Sequence, residues 1–193
     1  MIKKILQLHE KYAPNREILE TILVHSQINW EIAQQLIEHN NLDVDKDLVH
    51  IGCLVHDIGC YKLVDRNGIR QKGKQGLTHG ILGAEILADE GYSQEIQRFA
   101  SHHTGMGLTK EEIAERKLPL PHRDFVPQTD EEKLVSYVDK FHSKDPQFNS
   151  FEYQRRKMAE FGERSVKAFD DLAKKFGKPD LNQLAAKYHQ IIG

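Results

Sequence analysis

The sequence predicts an all-α fold. Apolar residues recur at helical spacing in nearly every segment, and residues typical of helix caps or breaks separate these segments. No segment shows the alternation of apolar and polar residues that is typical of a half-buried strand. With 193 residues, of which 39% are hydrophobic and 29% charged, the chain is long enough for one domain with an adequate core.

The first half of the chain predicts three helices and a loop, because helical spacing is interrupted by proline, asparagine and glycine. The predicted segments are, in order, residues 1–12, a long stretch from the Pro14-Asn15 break to Asn40, a helix capped by Asp43 or Asp45 that runs to His56-Asp57, and a loop or short ribbon over residues 61–78.

The second half predicts further helices with recognisable starts. Serine or threonine before an apolar run is typical of an N-cap, and a glutamate three residues later completes a capping box. The predicted segments are a helix from His79 to Gly91, one from Ser93 to His103, capping boxes at Thr109-x-x-Glu112 and Thr129-x-x-Glu132, a helix from Asp130 to Phe141, and a final pair over about 151–176 and 180–191.

The composition excludes several classes of protein. A net charge of −2 argues against a protein that coats nucleic acid. The first residues are too polar for a secretory signal, and no apolar run approaches the length of a membrane span. We therefore expect a cytoplasmic protein without a membrane or nucleic-acid partner, whose Cys53 and Cys60 are reduced thiols.

The most informative stretch is His56-Asp57-Ile58-Gly59, which follows an apolar run. The glycine predicts the end of a helix, where neighbouring side chains can converge on one ion. Imidazole nitrogen and carboxylate oxygen together suit first-row transition metals, so the pair predicts a metal site. Further candidate ligands in or beside helix-like segments are His25, His79, His103 and Asp139.

The order of these residues resembles that of the HD superfamily of metal-dependent phosphohydrolases, which is named for its His-Asp pair. His25, residues 56–57 and Asp139 match the ligands common to the family. His79 and His103 match the two extra histidines of members that bind two ions. A match at all of these positions in the right order is far more specific than a lone His-Asp pair.

The resemblance covers about residues 11–145. The His-Asp-Ile-Gly motif is typical of a large subgroup of the superfamily. Residues 103–107 and 124–133 resemble the corresponding stretches of a small prokaryotic branch. The resemblance implies a single compact HD-domain helical bundle over residues 1–193, with a C-terminal helical extension over about 150–193.

The resemblance also implies a metal-dependent phosphohydrolase that acts on a small phosphorylated substrate, with nucleotides among the candidates. One or two divalent ions (Mn, Fe, Ni, Co or Zn, with Mg as a further option) would activate a water molecule. The implied metal ligands are His25, His56, Asp57, His79, His103 and Asp139. Asp57 would orient the water and help to deprotonate it, while His103 would stabilise developing negative charge.

Substrate contacts are inferred from charge, because phosphate needs cations close to the ions. The expected phosphate contacts are Lys62, Arg66 and Lys140. In one-ion relatives, residues near His79 and His103 meet the phosphate instead of a second ion. The oligomeric state is left open.

Position 60 departs from the family pattern. Many HD proteins have a lysine directly after His-Asp-Ile-Gly and some nucleotidase relatives have a glutamate, whereas this chain has Cys60. A thiol with a pKa of about 8.5 is a poor proton donor at neutral pH, which weakens a 5′-nucleotidase interpretation. Two other interpretations stay open: an HD-type di-iron oxygenase, and a non-catalytic metal-stabilised module that binds a ligand.

Two other histidines have weaker signals. His142 follows Asp139 by three residues and can share its helix face, which makes it a candidate outer contact of the metal site. His9 is expected on a polar helix surface, without an acidic or histidine partner in register.

Overall fold

A computed structural model describes residues 1–64 and 73–193. These residues form ten α-helices, so the predicted helical class is confirmed. None of the described helices is both long and apolar enough to cross a membrane. In chain order the helices are α1 Ile2–Tyr12, α2 Arg16–Asn40, α3 Lys46–Val55, α4 His79–Asp89, α5 Gln94–Ser101, α6 Lys110–Glu115, α7 Asp130–Val138, α8 Phe151–Ala159, α9 Glu163–Phe176 and α10 Asn182–Tyr188.

Several helices begin at the capping residues that the sequence offers. The side chains of Asn15 and Asp45 accept hydrogen bonds from backbone N–H groups in the first turns of α2 and α3. Thr109 and Glu112 make both bonds of the predicted capping box at α6. Local side-chain bonds therefore fix where these helices start.

The second predicted capping box, at the start of α7, is only half formed. Thr129 Oγ1 accepts the N–H of Glu132 at 3.2 Å, as expected. The Glu132 carboxylate instead accepts the N–H of Gln128 at 2.8 Å and Arg98 Nε at 2.6 Å. Because this carboxylate is buried, pairing it with a cation offsets its desolvation. The prediction was wrong because the partner on α5 is distant in sequence.

The last quarter of the chain differs from the predicted helix pair. The spacing over residues 151–176 predicts one helix, but the chain breaks into α8 and α9 at Gly162, whose φ of 100° favours glycine. Residues 182–188 form α10, which ends three residues before the predicted boundary at 191.

A small three-stranded sheet also forms, where the sequence predicts no strand. The strands are β1 His142–Ser143, β2 Gln147–Phe148 and β3 Ile191–Ile192. β1 pairs with β2 in antiparallel register, and β2 pairs with β3 in parallel register. Strands of two residues are too short to show an alternating pattern in sequence.

The C-terminal helices share a hydrophobic core with the helices that carry the candidate ligands. Helix α2 packs against α3, α7 and α9. The ring of Tyr137 on α7 lies edge-on to Phe141 at 5.0 Å and against Phe169 of α9 at 5.4 Å. All three rings are fully buried, and burial of one such side chain contributes about 1.5–3 kcal/mol. The aromatic contacts therefore attach the C-terminal helices to α7.

His9 is buried, contrary to the expectation that it lies on a polar surface. Its Nε2–H donates to the carbonyl of Leu54 at 2.9 Å, which leaves Nδ1 to accept from the hydroxyl of Tyr61 at 2.7 Å. Burial lowers the pKa of His9 to about 4, so the ring is neutral at pH 7. Both partners are distant in sequence, so helical register alone could not reveal them.

Candidate metal centre

The predicted metal ligands converge from several parts of the fold. His25 lies within α2, His56 and Asp57 follow α3, His79 begins α4, His103 follows α5, and Asp139 follows α7. Their donor atoms form two groups, in each of which all donor atoms lie within 4.8 Å of one another. The first group is His25, His56, Asp57 and Asp139, and the second is Asp57, His79 and His103.

Asp57 belongs to both groups and lies between two helical segments. Helix α3 ends at Val55, and a 3-10 helix follows over Ile58–Leu63. The glycine at position 59 therefore does not end α3, as the sequence suggested, but lies against α4. A Cβ atom on Gly59 would lie 2.0 Å from the carbonyl oxygen of His79. Only glycine allows this close approach, which brings His79 beside Asp57.

The first group is a compact set of alternating nitrogen and oxygen donors. His25 Nε2 lies 3.0 Å from Asp139 Oδ1 and 3.3 Å from Asp57 Oδ2. His56 Nε2 lies 3.3 Å from each of the same two oxygens. The histidines and Asp57 are buried, and Asp139 is 13% exposed, so the group is almost closed to solvent.

The second group uses the other oxygen of Asp57. Oδ1 lies 3.4 Å from His79 Nε2 and 3.6 Å from His103 Nε2. The two histidine Nε2 atoms are 2.9 Å apart. The side chain of His79 is 14% exposed, whereas the other three histidines are buried. Among the histidines, His79 is therefore the one that solvent reaches most easily.

Backbone carbonyls fix the tautomers of three of the four candidate ligand histidines. In each ring, Nδ1–H donates to the carbonyl of the residue three positions earlier. The distances are 2.8 Å for His56, 2.7 Å for His79 and 2.7 Å for His103. A ring that donates through Nδ1 directs its Nε2 towards the centre. All three rings are therefore oriented as metal ligands.

The second group fits a divalent cation by its donor chemistry. Burial lowers the pKa of His79 to about 3 and also lowers the pKa of His103, so both rings are neutral. Their Nε2 lone pairs then face each other at 2.9 Å, an arrangement that a cation between them would stabilise. Nitrogen and carboxylate donors of this kind suit transition metals.

The first group attracts positive charge. Although burial lowers the pKa of His56, the carboxylates of Asp57 and Asp139 outweigh it and raise the pKa to about 9. Although burial raises the pKa of Asp57, Lys144 and His56 hold it well below its usual range. Two anionic carboxylates in a buried pocket require compensating cations, and a metal ion would fill that need.

Two charged or polar side chains that the sequence did not single out contact the ligands. The ammonium of Lys144 pairs with Asp57 Oδ2. Asn29 lies one helical turn after His25 on α2, and its Nδ2 is 3.1 Å from His25 Nε2. The spacing of four residues from His25 was a usable signal for Asn29. Lys144 had no such signal, since it follows the end of the helical segment.

The three predicted phosphate contacts have different surroundings. Lys62 is half-exposed, and its Nζ lies 3.8 Å from Glu85 on α4. Lys140 Nζ donates to Asp139 Oδ2 at 2.6 Å and to the carbonyl of His103 at 3.3 Å, so it joins the two groups. Arg66 lies outside the described residues.

Comparison with known proteins identifies the family. A model of the HD domain matches residues 7–144, which include every predicted metal ligand. The chain belongs to the HD domain family. The resemblance seen in the sequence is thereby confirmed, and membership supports a metal-dependent hydrolase.

Similar curated proteins include one without an assigned function and two methyltransferases. The chain is 36% identical over 125 residues to the uncharacterized protein MJ0778 of Methanocaldococcus jannaschii, covering 65% of this chain and 66% of that protein. It is 31% identical over 169 residues, or 86% of its length, to a tRNA (cytidine(56)-2'-O)-methyltransferase of Picrophilus torridus. A second tRNA (cytidine(56)-2'-O)-methyltransferase, from Thermoplasma volcanium, is 29% identical over 80% of this chain. The chain spans only 45% of the first methyltransferase and 42% of the second.

A solved structure with a similar fold is the HD domain of the L. monocytogenes phosphodiesterase PgpH, in complex with cyclic-di-AMP. The TM-score is 0.54 at 21% identity, and the match covers 97% of this chain and 98% of that chain. This similarity establishes the fold that the two chains have in common.

Proposed function

We propose that the protein hydrolyses a small phosphate ester, with nucleotides as the first substrate class to test. The observation that carries the proposal is the pair of ligand groups that have Asp57 in common. Divalent transition ions bound there would supply Lewis-acid activation of a water molecule and of a phosphoryl oxygen.

The protein's own residues would have different roles around that centre. His25, His56 and Asp139 would hold one ion, and His79 and His103 a second. Asp57 directs one oxygen to each group, so its carboxylate would serve as a ligand in both and would help to orient the water that is activated there. His103 would reach the substrate oxygen only if it were not an ion ligand.

Lysines supply the positive charge that a phosphate needs. Lys144 already holds an anionic oxygen, that of Asp57, and its side chain is 18% exposed. We assign it to the substrate phosphate, since ions that neutralise Asp57 would release the ammonium for another anion. Lys140 would orient Asp139, while Lys62 and Arg66 remain candidates for contacts farther along the substrate.

Nucleotides are placed first because the fold relative PgpH was solved with cyclic-di-AMP. The methyl transfer named for two relatives belongs to proteins of which this chain spans less than half. The donor set of imidazoles and carboxylates supports hydrolysis at a metal centre rather than that reaction.

The test is turnover of a substrate panel by protein loaded with manganese. The panel contains aryl phosphate mono- and diesters, nucleoside mono-, di- and triphosphates and cyclic dinucleotides, and chromatography identifies the products. We expect at least one nucleotide to be hydrolysed, and the His56→Ala and Asp57→Ala variants to be inactive.

The proposal would be contradicted if the protein hydrolysed no member of the panel faster than the Asp57→Ala variant does. Protein purified in air with two irons and an oxygen-dependent spectral change would favour the oxygenase interpretation. A melting temperature that depends on chelation, without any turnover, would favour the non-catalytic module.

A further inference from the structure

We propose that Gln190 positions the metal ligand His25 through His142, so that a segment beyond the HD match completes the metal centre. The inference rests on the proposed metal-binding function. It assigns a role to residues 189–193, which lie outside the HD match at 7–144.

The contacts form a continuous chain of hydrogen bonds. His142 Nε2 lies 2.9 Å from Gln190 Oε1, and His142 Nδ1 lies 2.9 Å from His25 Nδ1. The rings of His25 and His142 are inclined by 28° with centroids 5.2 Å apart, which is the edge-to-edge arrangement of an in-plane hydrogen bond. Both histidines are buried, so neither can exchange these partners for bulk water. His142 thus contacts His25 from a strand, whereas the sequence placed it on the helix face of Asp139.

Each proton in the chain follows from the first acceptor. Gln190 Oε1 can only accept, so His142 donates through Nε2–H and keeps a lone pair on Nδ1. His25 then donates through Nδ1–H, which leaves the lone pair on its Nε2. That nitrogen faces the carboxylates of Asp57 and Asp139, as ligation requires.

The small sheet holds both ends of this chain in register. His142 is in β1 and pairs with Phe148, and Phe148 in turn pairs with Ile192 of β3. Gly193 N–H donates to the carbonyl of Phe148 at 2.8 Å. Gln190 directly precedes β3, so the sheet fixes its side chain opposite His142. The sheet therefore holds Gln190 in place to orient His142 and, through it, His25.

The test compares metal affinities of full-length variants by calorimetric titration with Zn²⁺. Gln190→Leu removes the acceptor, and Gln190→Glu keeps one. Gln183→Leu makes the same change at an exposed position of α10 and serves as the control. We expect Gln190→Leu to weaken one of the two binding steps about 10- to 100-fold, the usual effect of losing an outer contact of a ligand. Gln190→Glu should retain the original affinity, and Gln183→Leu should have no effect.

A second measurement reports the proton position directly. In the zinc-loaded protein, long-range ¹H–¹⁵N correlation spectra should show His25 protonated on Nδ1, with the proton distribution disturbed in Gln190→Leu and restored in Gln190→Glu. Unchanged zinc affinity in Gln190→Leu, or an equal loss in Gln183→Leu, would overturn the inference. Zinc binding without turnover of any phosphate ester would refute hydrolysis alone, because neither measurement depends on activity.

Discussion

Replacing His103 by alanine tests whether the centre holds two ions. His103 is one of three donors in the second group, and it takes no part in the first group, which has four donors. The substitution should therefore remove one ion and leave the other. We expect bound manganese to fall from about two ions per chain to about one.

The size of the effect follows from the number of donors that remain. The second group would keep only Asp57 and His79. Loss of an outer contact alone weakens metal binding about 10- to 100-fold, so loss of a direct donor should cost at least about 100-fold. That factor corresponds to about 2.7 kcal/mol of binding free energy. The ion should then be lost on dialysis.

The assay is metal analysis after equilibrium dialysis, together with a calorimetric titration and circular dichroism to verify folding. His102→Ala is the matched control, because His102 is the neighbouring ring and bonds to Ser101 Oγ at 2.7 Å rather than to the ligands. Full metal content in His103→Ala, combined with weaker phosphate binding, would refute the two-ion reasoning. His103 would then be a phosphate contact.

Three further predictions follow from individual contacts. Gly59→Ala should lower the free energy of unfolding by about 1–3 kcal/mol or more and weaken binding of the second ion, because the new Cβ would collide with the His79 carbonyl. Urea unfolding measures the first effect and metal titration the second. Lys144→Met should raise the inhibition constant of inorganic phosphate about tenfold, whereas Lys62→Met, at a half-exposed lysine paired with Glu85, should change it little. Burial lowers the pKa of His9 from its ordinary value of 6.5 to about 4 in the folded protein, so the stability that this ring contributes is present above pH 6.5 and is lost as the pH falls towards 4. Urea unfolding should show this loss, about 3 kcal/mol in total, and His9→Met should lack it while His39→Met keeps it.

The members of the candidate metal centre were predictable from sequence because the chemistry of a metal site depends on residue type and order. The His-Asp pair, with histidines before and after it, specified which side chains meet, and the structure brings all six together. Helix periodicity gave the helical class in the same way, since each helix must bury an apolar face.

Apart from Asn29, which lies four residues from His25, the contacts that the sequence missed join residues distant along the chain. His9 contacts Leu54 and Tyr61, and Glu132 contacts Arg98; these partners are fixed by tertiary packing rather than by local spacing. Lys144 was missed for the same reason, because it reaches Asp57 from beyond the helical segment. Local patterns predict elements well, but the burial of a polar residue depends on what packs over it.

The positions of the candidate ligand histidines along their helices explain which of them need a partner from another element to orient the ring. His56 and His103 follow the last turns of α3 and α5, whereas His79 follows a 3-10 turn over Gln75–Thr78 and begins α4. At each of these helix boundaries the ring donates to the carbonyl three residues before it. These three ligands are oriented by their own segments.

His25 has no such local partner, because it lies inside the 25-residue helix α2, whose carbonyls are used by the helix itself. Its Nδ1 must therefore find a partner on another element, and His142 in the small sheet is that partner. A ligand within a helix thus requires a tertiary contact to fix its tautomer, whereas a ligand at a helix end does not. The small sheet supplies this contact, because it places His142 against His25 of the candidate metal centre.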